Sequence, residues 1–372
     1  MTEPGRRPRL RVGLVVSTPQ RRGAEVFAVG LAEHLRERDW GVEVASIDRS
    51  DAANVLEEIT PLGDGRRSVA MWRNLVRLAR RCDVLVASGG TTLLPVAAIA
   101  RITATPYVYR NIGDPSAWGN VRGADLRLGL PLRSAAGVIA LYGGAGDDLQ
   151  RRYRLDARRI TVAPNAASSN EFSPPAEAER CEARAVFGFG IDHPVVVYLG
   201  ALSEEKNPLL AIKAVLAEPT LRLLVVGDGP LREKCDALAA SAPDRVRVLG
   251  TRNDVPAVLA AADALVISSR TEGIAGAAIE AGLSGVPVVT TDVGGMAELV
   301  LDGVTGLVLD RPDAATLGRA LVTAAGHRDP WGAAAVEHCR AHYEFDAVTD
   351  LWVEALQAAA ERRFPNPHAM GS

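Results

Sequence analysis

Short apolar runs alternate with helix-period stretches along the chain, and this alternation narrows the fold more than any other feature. In the first half the strand-like runs fall at residues 10–17, 42–47, 83–88, 105–110, 136–141 and 160–163. Between them lie helical patterns, notably Ala24 to Arg38, with Val26, Leu31 and Leu35 at helical spacing, and Val69 to Arg81. In the second half the runs fall at 194–200, 221–227, 245–249, 263–268, 286–291 and 306–309. Strands that alternate with helices pair in parallel and are covered on both faces, so the expected class is α/β and doubly wound. The alternation breaks once, at "PNAASSNEFSPPAEAERCEARAVFG", where Ser168-Ser169-Asn170 and Pro174-Pro175 read as a linker. Two Rossmann-like domains facing each other across a cleft are therefore predicted, over residues 1–170 and 171–340. A helix over 341–364, with Val348, Leu351, Trp352, Ala355 and Leu356 at helical spacing, is expected to pack back on the first domain, followed by a tail at 365–372.

Composition excludes several classes. A formal net charge of -3 gives no reason to expect nucleic acid as a partner. Cys82, Cys181, Cys235 and Cys339 show no CxxC or Cys/His spacing, which argues against a disulfide framework or a zinc site and suits a reducing cytoplasm. The N-terminal apolar run is too short for a signal peptide and reads better as a first strand. The apolar stretch Leu85 to Ala104 is interrupted by Gly89-Gly90, Pro95 and Arg101, so no bilayer span is expected there.

In such sheets ligands bind at the carboxyl ends of the strands, which directs attention to the loops that follow them. "YLGALSEEKNPLLAIKAV" puts Lys206 near a helix start, in a chain with three lysines against 39 arginines. An ammonium there would complete a phosphate site, and it would equally suit a solvated surface. "VVGDGPLREKC" brings Gly227 and Gly229, which allow close backbone approach or simply a tight turn, and Arg232 stands where a dinucleotide fingerprint would need a third glycine. "SRTEGIAGAAIEAG" brings Gly273, Gly276 and two carboxylates, Glu272 and Glu280, separated by seven residues. Carboxylates accept paired hydrogen bonds from vicinal hydroxyls, which suits a sugar and a ribose flanking a diphosphate. Each also has a plain reading: Glu272 as an acid favoured at a helix start, Glu280 as a solvated side chain or an arginine's partner.

Taken in order, "GALSEEKN", "VGDGPL" and "TRNDVPAVLAAADALVISSRTEGIAGAAIEAGLSGVPVVTTDVGGMAELV" resemble the family 4 glycosyltransferases, retaining enzymes of the GT-B fold. "TPQRRGAEVFAVGLAEHL" is similar to the family's first loop and helix, and "ITVAPNAASSNEFSP" to its passage between domains. The resemblance implies that Glu272 contacts hydroxyls of the transferred sugar, Glu280 holds the nucleotide ribose and Lys206 binds the diphosphate. It further implies that backbone N–H groups of Gly273, Ile274, Ala275 and Gly276 share that work. Thr251 and Arg252 would meet the base, Gly200, Gly227 and Gly229 would line the donor side, and Arg22 and Gly23 would sit opposite the diphosphate. The resemblance also implies front-face attack, with the leaving phosphate taking the acceptor proton and no cofactor or metal required, and the chain carries no Asp-x-Asp motif.

Three departures stand out. Ala201 occupies the position where the family commonly has an arginine on the diphosphate; Arg21, Arg22 or Arg232 would have to substitute. The first loop reads Arg22-Gly23 instead of Gly-Gly. Where many members carry a histidine near the reacting centre, this chain reads "YRNIGDPSAW", which makes Asn111 and Asp114 the candidates beside Lys206 and Glu272 for the catalytic residues. Arg110, Asp114 and Trp118, with Arg122, Arg127 and Arg133 nearby, are the acceptor-side candidates.

The function these readings imply is hexosyl transfer from a nucleoside-diphosphate sugar, most simply a UDP-sugar, to a lipid, polysaccharide or natural-product acceptor. A sugar-nucleotide epimerase of the same fold, or a non-catalytic nucleotide-sugar-binding subunit, are the alternatives. Residues Arg66 to Arg81 form a basic amphipathic pattern, with Val69, Trp72, Leu75, Val76 and Ala79 on one face. Such a helix can rest on the inner face of an anionic membrane, and it can equally cover a sheet.

Overall fold

The structure is a computed structural model that describes residues 9–50, 54–115 and 124–362, the side chains of 124–127 excepted. The chain divides into two compact units, one running to Asn165 and resuming at Phe345, the other Ala166–Glu344. The division falls ahead of the Ser168 to Pro175 stretch. That stretch is docked within the second unit: the Ser169 N–H donates to Glu344 Oε1 at 3.1 Å, and Phe172 is buried. The expected tail at 365–372 lies outside the described residues.

In the first unit the strands are β1 (Arg11–Val16), β2 (Gly41–Ser46), β3 (Thr60–Pro61), β4 (Val84–Ser88), β5 (Tyr107–Arg110), β6 (Gly137–Ala140) and β7 (Ile160–Val162). Its helices are α1 (Gly23–Glu37), α2 (Val69–Arg81), α3 (Gly90–Thr103), α4 (Ala124–Ser134) and α5 (Gly143–Tyr153). The sheet order is β3-β2-β1-β4-β5-β6-β7, with every ladder parallel. The strands are near-continuous apolar runs because both faces are covered; β1 and β4 are buried at almost every position. β3 was not expected. It is a two-residue edge strand ending in proline, too short for a periodic signal and confined to the edge by its missing N–H.

The second unit holds β8 (Val195–Leu199), β9 (Arg222–Val226), β10 (Val246–Gly250), β11 (Ala264–Ile267), β12 (Val288–Thr291) and β13 (Gly306–Leu309), in the order β10-β9-β8-β11-β12-β13, again parallel. Its helices are α6 (Glu177–Val186), α7 (Pro208–Ala217), α8 (Arg232–Ala239), α9 (Val255–Ala260), α10 (Gly276–Leu283), α11 (Met296–Leu299), α12 (Ala314–Gly326) and α13 (Arg328–His342). α13 lies so close behind α10 that a Cβ at Gly282 would fall 2.4 Å from Cys339 Sγ, and one at Gly332 would fall 2.2 Å from the Gly285 carbonyl oxygen. α10 is thereby fixed from behind, with its N-terminus at the carboxyl edge of the sheet.

The final helix, α14 (Phe345–Glu361), belongs to the first unit. Phe345 stacks on His34 and Phe27 at 4.6 and 5.8 Å, and the fully buried Trp352 tilts against Phe27. Gly30 makes room for it, since a Cβ there would lie 2.3 Å from Phe345 Cζ. A buried aromatic side chain of this kind is worth about 3–5 kcal/mol against alanine.

The face of α2 needs correcting. The buried stripe is Met71, Leu75, Leu78 and Ala79, whereas Val69 is 82% exposed and Trp72 only partly covered. Trp72 lies along the surface because its indole N–H donates to the Arg66 carbonyl at 2.8 Å, and α2 packs against α3. Among the described residues no helix is long and apolar enough to cross a membrane.

Candidate functional site

In the second sheet the direction of winding reverses between β8 and β11, which pair side by side. Loops that diverge from such a point leave a crevice at the carboxyl edge. The β8–α7 loop carries Lys206 and the β11–α10 loop carries Glu272, so the switch point brings together two residues that are 66 positions apart.

Each loop is pinned by specific contacts. Gly200 N–H donates to Val226 O, Leu202 N–H donates to Asp228 O, and Leu202 O accepts from Leu231 N–H, zipping the β8–α7 loop onto the β9–α8 loop. Gly227 (φ 139°) and Gly229 (φ 155°) permit this, since a Cβ would fall 1.9 Å from Gly200 O and 2.7 Å from Leu202 O respectively. In this structure both glycines therefore serve close loop packing. The Tyr198 hydroxyl donates to the Ala201 carbonyl at 2.9 Å. Asn207 adopts the left-handed conformation just before Pro208 opens α7, and its carbonyl accepts from Ser268 Oγ at 2.9 Å. Arg270 N–H donates to Glu205 O at 2.8 Å, tying the two site loops together.

Lys206 Nζ reaches both carboxylate oxygens of Glu272, at 2.7 and 2.6 Å, and Ser269 Oγ donates to Glu272 Oε2 at 3.0 Å. Ser269 is itself held through its carbonyl by Thr291 Oγ1 at 2.6 Å. The Lys206 side chain keeps 28% of its surface in solvent and Glu272 keeps 11%, so the pair is half-sheltered and open from the lysine side. Ser269, Thr291 and Gly294 were not singled out in the sequence. Gly294 (φ 57°) sits over the Glu272 backbone, where a Cβ would fall 1.9 Å from its carbonyl oxygen, and Gly295 N–H donates to Gly273 O at 2.8 Å. The "VGG" of the motif was the available signal, and its glycines read as site residues only once this roof over Glu272 is seen.

Gly273, Ile274 and Ala275 lead into α10, which opens at Gly276. The cap residue Ala275 makes no side-chain cap, and the first turn carries no acid, an arrangement that suits an anion at the positive end of the helix. Glu280 lies one turn into the same helix, with Gly276 beside its carboxylate.

Further along the same edge, Arg252 follows β10, two strands from the switch point. It forms a fork with Asp254 at 2.7 and 2.5 Å and lies over the Phe187 ring at 5.3 Å; that hydrogen bonding lowers the Asp254 carboxyl and raises Arg252. Thr251 beside it is exposed. Arg232 is engaged with Asp236 on its own helix at 2.9 Å.

The first unit places its candidates differently. Arg22 and Gly23 open α1 and are exposed, with Arg22 Nη2 donating to Gln20 Oε1 at 2.5 Å, and Arg21 is exposed next to them. Arg110, expected to face an acceptor, is 2% exposed: it donates to Ser88 Oγ at 3.1 Å and to Asn165 Oδ1 at 2.6 Å, and lies over the Phe27 ring at 4.1 Å. Burial pulls its pKa down to about 9, with the charge of Glu25 opposing. Glu25, which the sequence reading passed over, is buried in α1; burial raises its carboxyl, against backbone hydrogen bonding and the charges of Arg22 and Arg110. Asn111 is fully buried, donating from Nδ2 to Gly113 O at 2.7 Å, and Asp114 accepts from the Tyr142 hydroxyl at 3.3 Å. Arg133 donates to the Tyr153 carbonyl at 2.9 Å. Trp118 and Arg122, and the side chain of Arg127, lie outside the described residues.

Two Rossmann-like units, one with a phosphate-suited cation and two carboxylates at its switch point, define an α/β fold of the glycosyltransferase type. Comparison with known proteins agrees. Residues 193–326 match the family model described as "Glycosyl transferases group 1", and residues 21–170 match "Glycosyltransferase Family 4". The chain belongs to the family 4 glycosyltransferases. It is 32% identical over 187 residues to the alpha-D-kanosaminyltransferase of Streptomyces kanamyceticus, covering 48% of each chain. It is 31% identical over 281 residues to the D-inositol 3-phosphate glycosyltransferase of Nocardia farcinica, covering 71% of this chain and 58% of that one. The chain thus spans about half the length of the curated relatives it matches. In fold it is similar to Anabaena HepE, solved in complex with UDP-glucose, with a TM-score of 0.82 at 21% identity over 94% of this chain and 100% of that one. It is also similar to the sucrose-phosphate synthase of Thermosynechococcus elongatus, with a TM-score of 0.76 at 18% identity over 94% and 98%.

Proposed function

We propose that this chain is a retaining glycosyltransferase that moves a hexosyl group from a uridine-diphosphate sugar to a hydroxyl of a polyhydroxylated acceptor. The observation that carries the reading is the Lys206–Glu272 pair at the switch point, beside the uncapped start of α10. In the proposed reaction Lys206 and the first amides of α10 take up the charge that builds on the departing diphosphate. Glu272 accepts hydrogen bonds from hydroxyls of the transferred sugar, and Glu280 holds the ribose. The leaving phosphate oxygen receives the acceptor's proton as the new glycosidic bond forms on the face the diphosphate leaves. Positioning and charge screening by these groups are the whole of the protein's part, so the proposal includes no metal.

Uridine is favoured by the shared fold with HepE, which was solved with UDP-glucose. The relative named for inositol 3-phosphate favours a small cyclitol or its glycoside as acceptor. A nucleotide sugar is a cytosolic metabolite, which puts the proposed reaction in the cytoplasm. Ala201 supports one rival, a subunit that binds the donor without turning it over.

Thermal unfolding with UDP-, GDP-, ADP- and TDP-glucose tests the reading. One of them, at about 100 times its dissociation constant, should stabilise the fold by about 2.7 kcal/mol. The stabilisation should vanish in Lys206→Ala and Glu280→Ala. Stabilisation by none of the four would leave only the fold. Binding without transfer to any cyclitol, with Ala201→Arg equally inactive, would favour the non-catalytic subunit, and a new nucleotide sugar formed from donor alone would mean an epimerase.

A further inference from the structure

Lys206 and Glu272 hold each other through two short bonds, and a ligand for either must part them. Both carboxylate oxygens of Glu272 are already on the ammonium, and Ser269 donates its hydroxyl to one of them. The backbone that carries the lysine is held in place: its N–H donates to Ser203 Oγ, and its carbonyl accepts from Tyr198 and Ser268, each at 3.4 Å. Glu272 is equally fixed, by the Ser269–Thr291 relay on one side and the Gly294 roof on the other.

A diphosphate that approaches Lys206 must therefore compete with a carboxylate that already holds both bonds. If it wins, it leaves a carboxylate that is 11% exposed with one neutral donor, and sets its own negative charge beside it. Ala201 adds no cation to relieve that repulsion. A diphosphate that carries a sugar changes the balance, because the sugar's hydroxyls donate to the carboxylate that the lysine has released. Sugar and diphosphate then bind as one unit, and a diphosphate without its sugar meets Glu272 as an opponent.

Resting on the donor-site reading above, we propose that the Lys206–Glu272 pair acts as a selector that admits the intact sugar nucleotide and rejects the bare nucleoside diphosphate. After transfer the hydroxyls depart with the sugar, Glu272 reclaims Lys206, and the spent nucleotide is released. Glu272 in this role is a specificity determinant against the product, in addition to any contact it makes with the sugar.

Isothermal titration with UDP and UDP-glucose on the wild type, Glu272→Gln, Glu272→Asp and Lys206→Ala tests this. The wild type should bind UDP-glucose at least roughly tenfold more tightly than UDP, the size of effect expected of one charged hydrogen bond. Glu272→Gln should bind UDP about tenfold more tightly than the wild type and UDP-glucose less tightly, so that the preference collapses or reverses. Glu272→Asp keeps the charge and should keep the discrimination against UDP. In the Lys206→Ala background, Glu272→Gln should bring UDP a smaller gain than it does with the lysine present, because only the charge repulsion is then relieved. If UDP binds Glu272→Gln no better than a wild type that does bind UDP-glucose, the selector is overturned and the donor site stands. If the wild type binds neither ligand, the donor-site reading falls and the selector falls with it.

Discussion

The two units each set charged residues at the carboxyl edge of a parallel sheet, and they treat them in opposite ways. In the first, Arg110 is sealed at 2% exposure against the Phe27 ring, with hydroxyl and amide partners and Glu25 nearby. In the second, Lys206 keeps 28% of its side chain in water and holds a single carboxylate. A sealed cation cannot be offered to a ligand without opening the core. A half-open one trades partners cheaply, because solvent screens the pair while it is broken. Arginine at the first position and lysine at the second suit those roles, since the planar guanidinium fills several fixed bonds and the ammonium moves as a point charge.

The strongest way to break this comparison is to remove each cation. Arg110→Met takes hydrogen bonds from Ser88 and Asn165 and leaves the buried Glu25 with the charge of Arg22 but not that of Arg110, and should cost on the order of 3–5 kcal/mol in denaturant unfolding. Lys206→Ala should cost less, about 1–2 kcal/mol, in the same measurement, while slowing transfer by roughly a hundred- to a thousandfold. Equal stability losses would mean that Lys206 is as structural as Arg110.

A smaller effect separates backbone support from charge. Gly294→Ala puts a Cβ within 1.9 Å of the Glu272 carbonyl at a left-handed position, whereas Gly303→Ala meets the same φ requirement with nothing within 4 Å. We expect about 1–3 kcal/mol of destabilisation and a clear loss of UDP-glucose binding for the first. The second should cost about 1 kcal/mol of strain with binding intact. Unfolding curves and titration of both variants decide it; intact binding in Gly294→Ala would show that the roof does not set the position of Glu272.

The same contrast explains what the sequence could and could not disclose. Parallel strands buried on both faces are continuous apolar runs, so the strands were legible to within a residue or two, with Gly306–Leu309 matching at both ends. Glu272, Glu280 and Lys206 could be picked out as candidates because they lie in or just after loops that follow strands, and the fold brings Lys206 and Glu272 together. Arg110 was named because it lies in the stretch where many family members carry a histidine; only the fold reveals the Phe27 ring and Asn165 closing over it. Gly227 and Gly229 looked like ligand contacts, yet their need for glycine comes from carbonyls more than twenty residues away in sequence. Ser269 and Thr291 meet across neighbouring strand ends, a contact that no local pattern encodes.

The smallest effect sharpens the comparison most, because its sign differs between the units. Burial raises the Glu25 carboxyl, so the folded state holds that proton more tightly than the unfolded chain, where the value is 4.5. Its contribution to stability is fully present below that value and is lost as pH rises through the raised folded value. His338, on α13 behind α10, is shifted the other way: burial first and the charge of His342 second lower it from 6.5, against carbonyls of Glu298 and Leu299. Its contribution is present above 6.5 and is lost as pH falls through the lowered folded value. Subtracting the wild-type melting temperature from that of Glu25→Gln across pH 4 to 8 should give a difference that climbs with pH. The same subtraction for His338→Gln should give one that climbs as pH falls. Two differences of the same slope would show that the burial of one of these groups is relieved before the protein unfolds, and the group concerned would be the one whose slope has the wrong sign.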